Sequence, residues 1–340
     1  MTTNKRTKMD ELADELTGNG PQDRAFLDAE ARRAAESGSV ATRRAVGRLR
    51  LATAPKRTAR SLRRNFRLLS ERFDALLAEA RQVAAQRRLD DALEMLAALE
   101  NRVAGLFDED EETRYFYFAN PLEEAICDRV YPSEKTRRRA PIDYPLLYFT
   151  VGAVQLEARR PREAKAALNK ALAFNPVDAE TLCKIADVAR RERDFAGYLK
   201  ATTQALRFSY RRRDLARCYR NLGSFYLDVQ RYDVATAAFY FSLTFDESPD
   251  ARRELKFIES KTRRSAKAPP FEKLRKIFEA EGIPIRPSDE TVEAARDLAI
   301  RAQNAGDFIL ARRCFDVVWR LADDAEAKAA FDALTARLNK

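Results

Sequence analysis

Few side chains in this sequence could do covalent or acid–base chemistry. Cys127, Cys183, Cys218 and Cys314 are its four thiols, and its 340 residues contain no histidine. Without imidazole the chain lacks the commonest general base and metal ligand. Ser-His-Asp and Cys-His sites are therefore excluded, as are zinc sites of mixed Cys/His type. The cysteines lie far apart with no C-x-x-C spacing, as expected of small buried groups kept reduced in a cytosolic protein. Glu123-Glu124 and Asp323-Asp324 are adjacent carboxylates, which do not face each other on a helix and so make poor acid–base pairs. None of the glycine motifs of phosphate loops, dinucleotide folds or nucleophile elbows occurs. The expectation is a protein that is not an enzyme, with no catalytic residues, no metal and no cofactor.

What remains is the chemistry of arginine. Residues 1 to 72 hold 17 Lys or Arg against 9 Asp or Glu, which supplies most of the net charge of +10. Between Arg43 and Arg72, eleven cations face one acid, Glu71. Arg43, Arg44, Arg48, Arg50, Lys56, Arg57, Arg60, Arg63, Arg64 and Arg67 are the candidate polyanion contacts, because such a run gives a strong, salt-sensitive attraction. The stretch offers almost no aromatics for base stacking and no recognisable nucleic-acid module.

The elements that would position these groups are helices. Gly is scarce, Ala, Leu, Arg and Glu abound, and no apolar run approaches the roughly 20 residues of a membrane span. Charges stand where a signal peptide's apolar segment would sit in the first sixteen residues, so a cytoplasmic location is expected. Residues 1–60 read as a basic, flexible arm broken by Gly18-Asn-Gly-Pro21, Ser37-Gly-Ser39 and Ala54-Pro55. Residues 61–107 read as a degenerate helix pair. Residues 108–144 form an insertion with an acidic run, the aromatics Tyr115 to Phe118, and a helix start at Asn120-Pro121 with Glu123 in capping-box position. Packed in a groove, such an insertion would be self-limiting.

Residues 145–248 carry three copies of one pattern. Tyr148-x-x-Val151-Gly152, Leu182-x-x-Ile185-Ala186 and Tyr219-x-x-Leu222-Gly223 follow at intervals of 34 and 37 residues. Second phrases follow each: Ala164 with Leu168 and Ala171, Phe195 with Ala205, and Tyr232 and Ala235 with Phe239. Residues 249–287 read as a degenerate pair ending in a C-cap at Gly282 with Ile283. Residues 288–323 repeat the pattern at Ala299 and Ala311, with Ser288 as the expected cap. Residues 324–340 read as a terminal capping helix.

These phrases resemble the tetratricopeptide repeat family, strongly over 145–245, well over 289–322 and weakly over 73–101. Gly152, Ala186, Gly223 and Ala299 match the small site of the first helix, and Ala164, Ala235 and Ala311 that of the second. The resemblance implies an all-α, right-handed superhelical solenoid of antiparallel helix pairs. It also implies a concave groove lined by first helices, in which Phe149, Leu156, Cys183, Asp187, Arg190, Arg217, Arg220, Ser224 and Leu227 would face a partner. Phe149 and Ala153 stand where some relatives carry the Lys and Asn of a carboxylate clamp. Arg190, Arg217 and Arg220 would favour an acidic ligand through planar forked pairing. The function implied is a scaffold or adaptor that holds a protein or peptide. The alternative is a nucleic-acid-binding or regulatory protein using the basic arm.

Overall fold

The computed structural model describes residues 8–37, 39, 42, 45, 46, 49, 73–103, 107, 109 and 113–339. The chain divides into two units. The first comprises residues 1–117 and 134–147, and the second residues 118–133 and 148–340.

In the first unit, α1 (Lys8–Asp14) and α2 (Gly20–Glu36) bury Leu12 and Leu27 with Ala45, Val46 and Leu49. Buried Asp23 accepts hydrogen bonds from the Thr17 N–H at 2.7 Å and the Thr17 hydroxyl at 3.0 Å, which ties down the turn between the helices. The described part of the expected flexible arm is thus largely helical, with an apolar cluster beneath it. Helix α3 (73–85) and α4 (Leu89–Val103) bury Phe73, Leu77, Ala80, Leu96 and Leu99 at helical spacing. Two short strands were not anticipated. β1 (Thr113–Phe116) and β2 (Thr136–Arg139) pair in parallel, Thr113 opposite Thr136. The guanidiniums of Arg114 and Arg137 lie 4.8 and 5.5 Å from the centroid of the Phe116 ring. A parallel pair needs a crossover rather than a hairpin, and the crossing segment contains α5 (Pro121–Val130).

The second unit is all-α. Its helices are α5, then α6 (Tyr144–Glu157, beginning in the first unit), α7 (Pro161–Phe174), α8 (Ala179–Arg191), α9 (Phe195–Phe208), α10 (Arg212–Asp228), α11 (Tyr232–Phe245), α12 (Pro249–Thr262), α13 (Phe271–Ala280), α14 (Asp289–Asn304), α15 (Phe308–Ala322) and α16 (Ala325–Leu338). Consecutive helices pack as antiparallel pairs, most extensively α8 with α9, α10 with α11 and α14 with α15. The architecture is a solenoid of helix pairs.

Small residues do stand where paired helices come closest. A Cβ on Gly152 would lie 2.6 Å from Leu168 Cγ and 3.1 Å from the Ala164 carbonyl oxygen, and one on Gly223 would meet the Phe239 ring at 2.8 Å. Ala164, Ala186, Ala235, Ala299 and Ala311 are fully buried. Side chains this short let two helix backbones approach, and the bulky residues around them then close the layer.

The repeat is also written in the backbone. Arg159, Arg193, Gln230 and Gly306 have φ of 61, 58, 61 and 81°, each at the turn inside a helix pair. In each turn the next N–H reaches back five residues: Arg160 to Gln155, Asp194 to Ala189, Arg231 to Tyr226 and Asp307 to Ala302, at 2.8 to 2.9 Å. This is the Schellman arrangement that satisfies orphan carbonyls at a helix C-terminus. In the first unit Arg87 has φ 64° and Arg88 N–H reaches Val83 O at 3.3 Å. The faint pair 73–101 therefore turns as the clear ones do.

Two expected caps differ in their chemistry. Gly282 is left-handed at φ 64°, and Ile283 N–H bonds Phe278 O at 2.8 Å as expected. Ser288 stands at the N-cap of α14, but its hydroxyl makes no cap bond and donates instead to Arg207 O at 3.2 Å. Thr291 donates to the same carbonyl at 2.8 Å, and Arg207 pairs with Glu290 at 2.9 Å. The start of α14 is thereby fastened to the end of α9.

Candidate functional site

The face expected to meet a partner is built by α6, α8 and α10. Its apolar members are mostly inside: Leu156 and Leu227 are buried, and half-buried Phe149 packs on Leu156, Ala164 and Leu168. Ser224 is buried within hydrogen-bonding reach of Tyr198, whose hydroxyl burial pushes well above its ordinary range. Cys183 and Cys218 are buried with sulfurs 3.7 Å apart. The hydrogen bond with Cys218 and burial raise the Cys183 thiol, which opposes the thiolate that nucleophilic chemistry needs.

Each predicted arginine has a carboxylate of its own. Arg217 on α10 donates to Asp187 on α8 at 2.8 Å, and Lys184 stands 3.5 Å from the same carboxylate. Arg190 on α8 donates to Asp228 on α10 at 3.2 Å and lies 6.0 Å from the Tyr198 ring centroid. Arg220 stands 3.8 Å from Asp246. The Arg217 and Arg190 pairs form rungs between the neighbouring first helices α8 and α10, whereas Asp246 follows the end of α11, so the face has far less free positive charge than the sequence implies. Every member of the proposed polyanion set, Arg43 through Arg67, lies outside the described residues.

A second constellation went unread in the sequence. Glu123 on α5 has a side chain only 4% exposed. Its Oε2 accepts from Ala119 N–H at 3.0 Å and Asn175 Nδ2 at 2.8 Å. Its Oε1 accepts from Asn120 Nδ2 at 3.0 Å, Tyr210 Oη at 3.2 Å and Arg211 Nη2 at 2.9 Å. Asn120 Oδ1 meanwhile caps α5, accepting from the Leu122 and Glu123 N–H groups. The expected cap at Asn120 is present, but Glu123 departs from a simple capping box by reaching Ala119 and the repeats. Asn175 and Arg211 sit at the junctions between successive pairs, α7 to α8 and α9 to α10. The other side of α5 packs on α14, where Arg129 pairs with Glu293 at 2.8 Å and Asp297 at 3.4 Å.

Charge is buried around this contact. Asp178, the N-cap of α8, accepts from the Glu180 and Thr181 N–H groups at 3.2 and 3.3 Å. Burial raises its carboxyl to about 6, opposed by the Thr181 hydroxyl and reinforced by nearby Glu123. Among the described residues no helix is long and apolar enough to cross a membrane.

No family model matches the sequence, and no curated protein matches it. Among solved structures the chain is similar to PilF of Pseudomonas aeruginosa, at 14% identity and a TM-score of 0.42, over 78% of this chain and 98% of that one. A superposition of that quality carries no functional argument.

Proposed function

We propose that this chain is a non-enzymatic scaffold of the tetratricopeptide kind, holding a protein or peptide partner on its helix pairs. The observation that carries the reading is the grip on α5. Asn175, Tyr210 and Arg211, at the pair junctions, hold a helix from outside the repeats by its one buried carboxylate. Side chains arranged to hold a helical segment in the same chain support recognition of another segment by the same means: charge-assisted hydrogen bonds at the junctions and apolar contact beside them. The face of α6, α8 and α10 is the proposed partner surface. Because Asp187 and Asp228 already occupy its arginines, a strongly acidic partner would have to displace them.

The test is affinity capture with the full chain at moderate salt after nuclease treatment, with cross-links to the partner mapped by mass spectrometry. The scaffold reading expects a defined protein cross-linked near Arg190, Arg217 or Arg220, and lost when Asp187 and Arg217 are both replaced by alanine. Material that vanishes with nuclease would favour the second reading, a polyanion contact through Arg43 to Arg67. That reading rests on the eleven cations against one acid between Arg43 and Arg72.

A further inference from the structure

One cleft stands apart from the carboxylate-paired arginines of the face described above. It lies between the start of α11, the end of α12, the loop 263–270 and the first turns of α13, with a volume of about 480 Å³. Arg264 and Lys267 line it from the loop and Lys273 from α13. Among the described residues these three cations have no carboxylate partner. The acids that would neutralise them are engaged elsewhere: Glu272 with Arg275 at 3.1 Å, and Glu259 with the loop itself. Asp233 lines the rim and has Arg231 3.7 Å away.

The loop that presents the cations is fixed on both sides. Glu259 accepts from the Ala266 N–H at 2.9 Å and the Ser265 hydroxyl at 3.3 Å. Tyr240 donates its hydroxyl to the Ala266 carbonyl at 2.5 Å. Arg263 turns the chain out of α12 at φ 54°. Arg264 and Lys267 therefore project from an anchored backbone, so little ordering is needed when a ligand arrives. Ile258, Ile277 and Tyr232 add apolar lining, and Thr236 a residue with a hydroxyl.

We propose that this cleft binds a small organic phosphate, with the phosphate between Arg264, Lys267 and Lys273 and an apolar or aromatic body against Tyr232, Ile258 and Ile277. Three cations lining one cleft suit a dianion better than a single carboxylate, since a guanidinium and two ammoniums can each take a different phosphate oxygen. Asp233 at the rim also disfavours ligands that spread negative charge beyond the phosphate. The volume falls in the range of about 300–1,000 Å³ typical of small-molecule sites. The site is independent of the partner surface proposed above.

Calorimetric titration of the full chain with phenyl phosphate tests this, with phenylacetate as the monoanionic counterpart. Phenyl phosphate should bind more tightly than phenylacetate and raise the thermal midpoint logarithmically with its concentration above Kd. Lys267→Gln with Lys273→Gln should weaken it by about tenfold or more, as expected when two charge-assisted contacts are lost. Arg253→Gln, an exposed change elsewhere on α12, should leave binding as it was. All three positions are exposed, so an unchanged unfolding midpoint will show that the variants fold. Vesicles with and without a phosphoinositide separate the sources. Phosphoinositide-dependent vesicle binding that phenyl phosphate competes away makes the ligand a lipid headgroup, and phenyl phosphate binding without it makes the ligand soluble. Absence of phenyl phosphate binding at millimolar concentration, or binding indifferent to the double variant, overturns the proposal.

Discussion

Glu123 and Arg211 meet at 2.9 Å across 88 residues of sequence, with the carboxylate almost wholly enclosed and the guanidinium about one-third exposed. Four further donors converge on the same carboxylate, so its charge is compensated at every lone pair within reach. Contacts of this kind stabilise little over an apolar pair of equal shape, but they punish the loss of one member severely.

Glu123→Ala should therefore cost about 3–5 kcal/mol, because it takes the acceptor from the buried Asn175 amide and from the Tyr210 O–H as well as removing the charge that faces Arg211. Glu123→Gln keeps one acceptor but turns an NH2 toward donors, and should cost roughly 1–3 kcal/mol. Hydrogen exchange locates the effect: the amides of α5 should exchange faster in both variants, while those of α10 and α11 change less. Unaltered exchange in α5 would remove Glu123 from its proposed holding role.

Asp178 should make stability depend on pH in a known direction. Its carboxyl rises from 3.8 to about 6 on folding. Between those values the native state binds a proton that the unfolded chain does not, so this contribution falls as pH rises through the window. The displacement corresponds to about 3 kcal/mol at most. Because other carboxylates titrate nearby, the measurement is the difference between the natural chain and Asp178→Asn in urea unfolding from about pH 4 to 6.5. That difference should move in the variant's favour as pH rises, then level off. A flat difference would show that Asp178 does not titrate in this range.

The pair turns offer an opposite pair of changes. Arg193 adopts φ 58° although it is not glycine, so Arg193→Gly should relieve backbone strain and stabilise by a few tenths to about 1 kcal/mol. Gly152→Ala should do the reverse, because the new methyl meets Leu168 and the Ala164 carbonyl, for a cost of about 1–3 kcal/mol. Thermal unfolding of both variants reads the signs directly. A stabilised Gly152→Ala would mean that α6 and α7 can move apart freely.

How far these features were legible follows from their range along the chain. Gly152 and Gly223 could be recognised because the residues that crowd them, Leu168 and Phe239, lie sixteen residues on in each case, inside one repeat. The left-handed turns are equally local, yet Arg159, Arg193 and Gln230 hid them, since the pattern most often sought there is glycine. Asn120 announced its cap, but nothing near Glu123 names Asn175, Tyr210 or Arg211 as its partners. The strands Thr113–Phe116 and Thr136–Arg139 escaped for a related reason. Each is four residues long and partnered only across a crossover, so neither period nor hairpin marks it. The charge of Arg190 and Arg217 was legible, whereas its neutralisation depended on which acids the next first helix would bring across.

That neutralisation leads to the last prediction. Asp187 and Asp228 hold Arg217 and Arg190 on a partly exposed face. Each pair on its own should be worth no more than about 1 kcal/mol to folding, because water screens it and both side chains lose freedom in making it. Asp187→Asn with Asp228→Asn should accordingly leave the unfolding midpoint within a few degrees of the natural chain. The same double change removes two negative charges and frees two guanidiniums on neighbouring helices, so binding of a glutamate-rich peptide should strengthen and become more sensitive to salt. Fluorescence anisotropy at low and physiological salt reads both effects. If the peptide binds no better to the variant, the arginines of this face serve the packing of α8 against α10 and do not select a partner by charge.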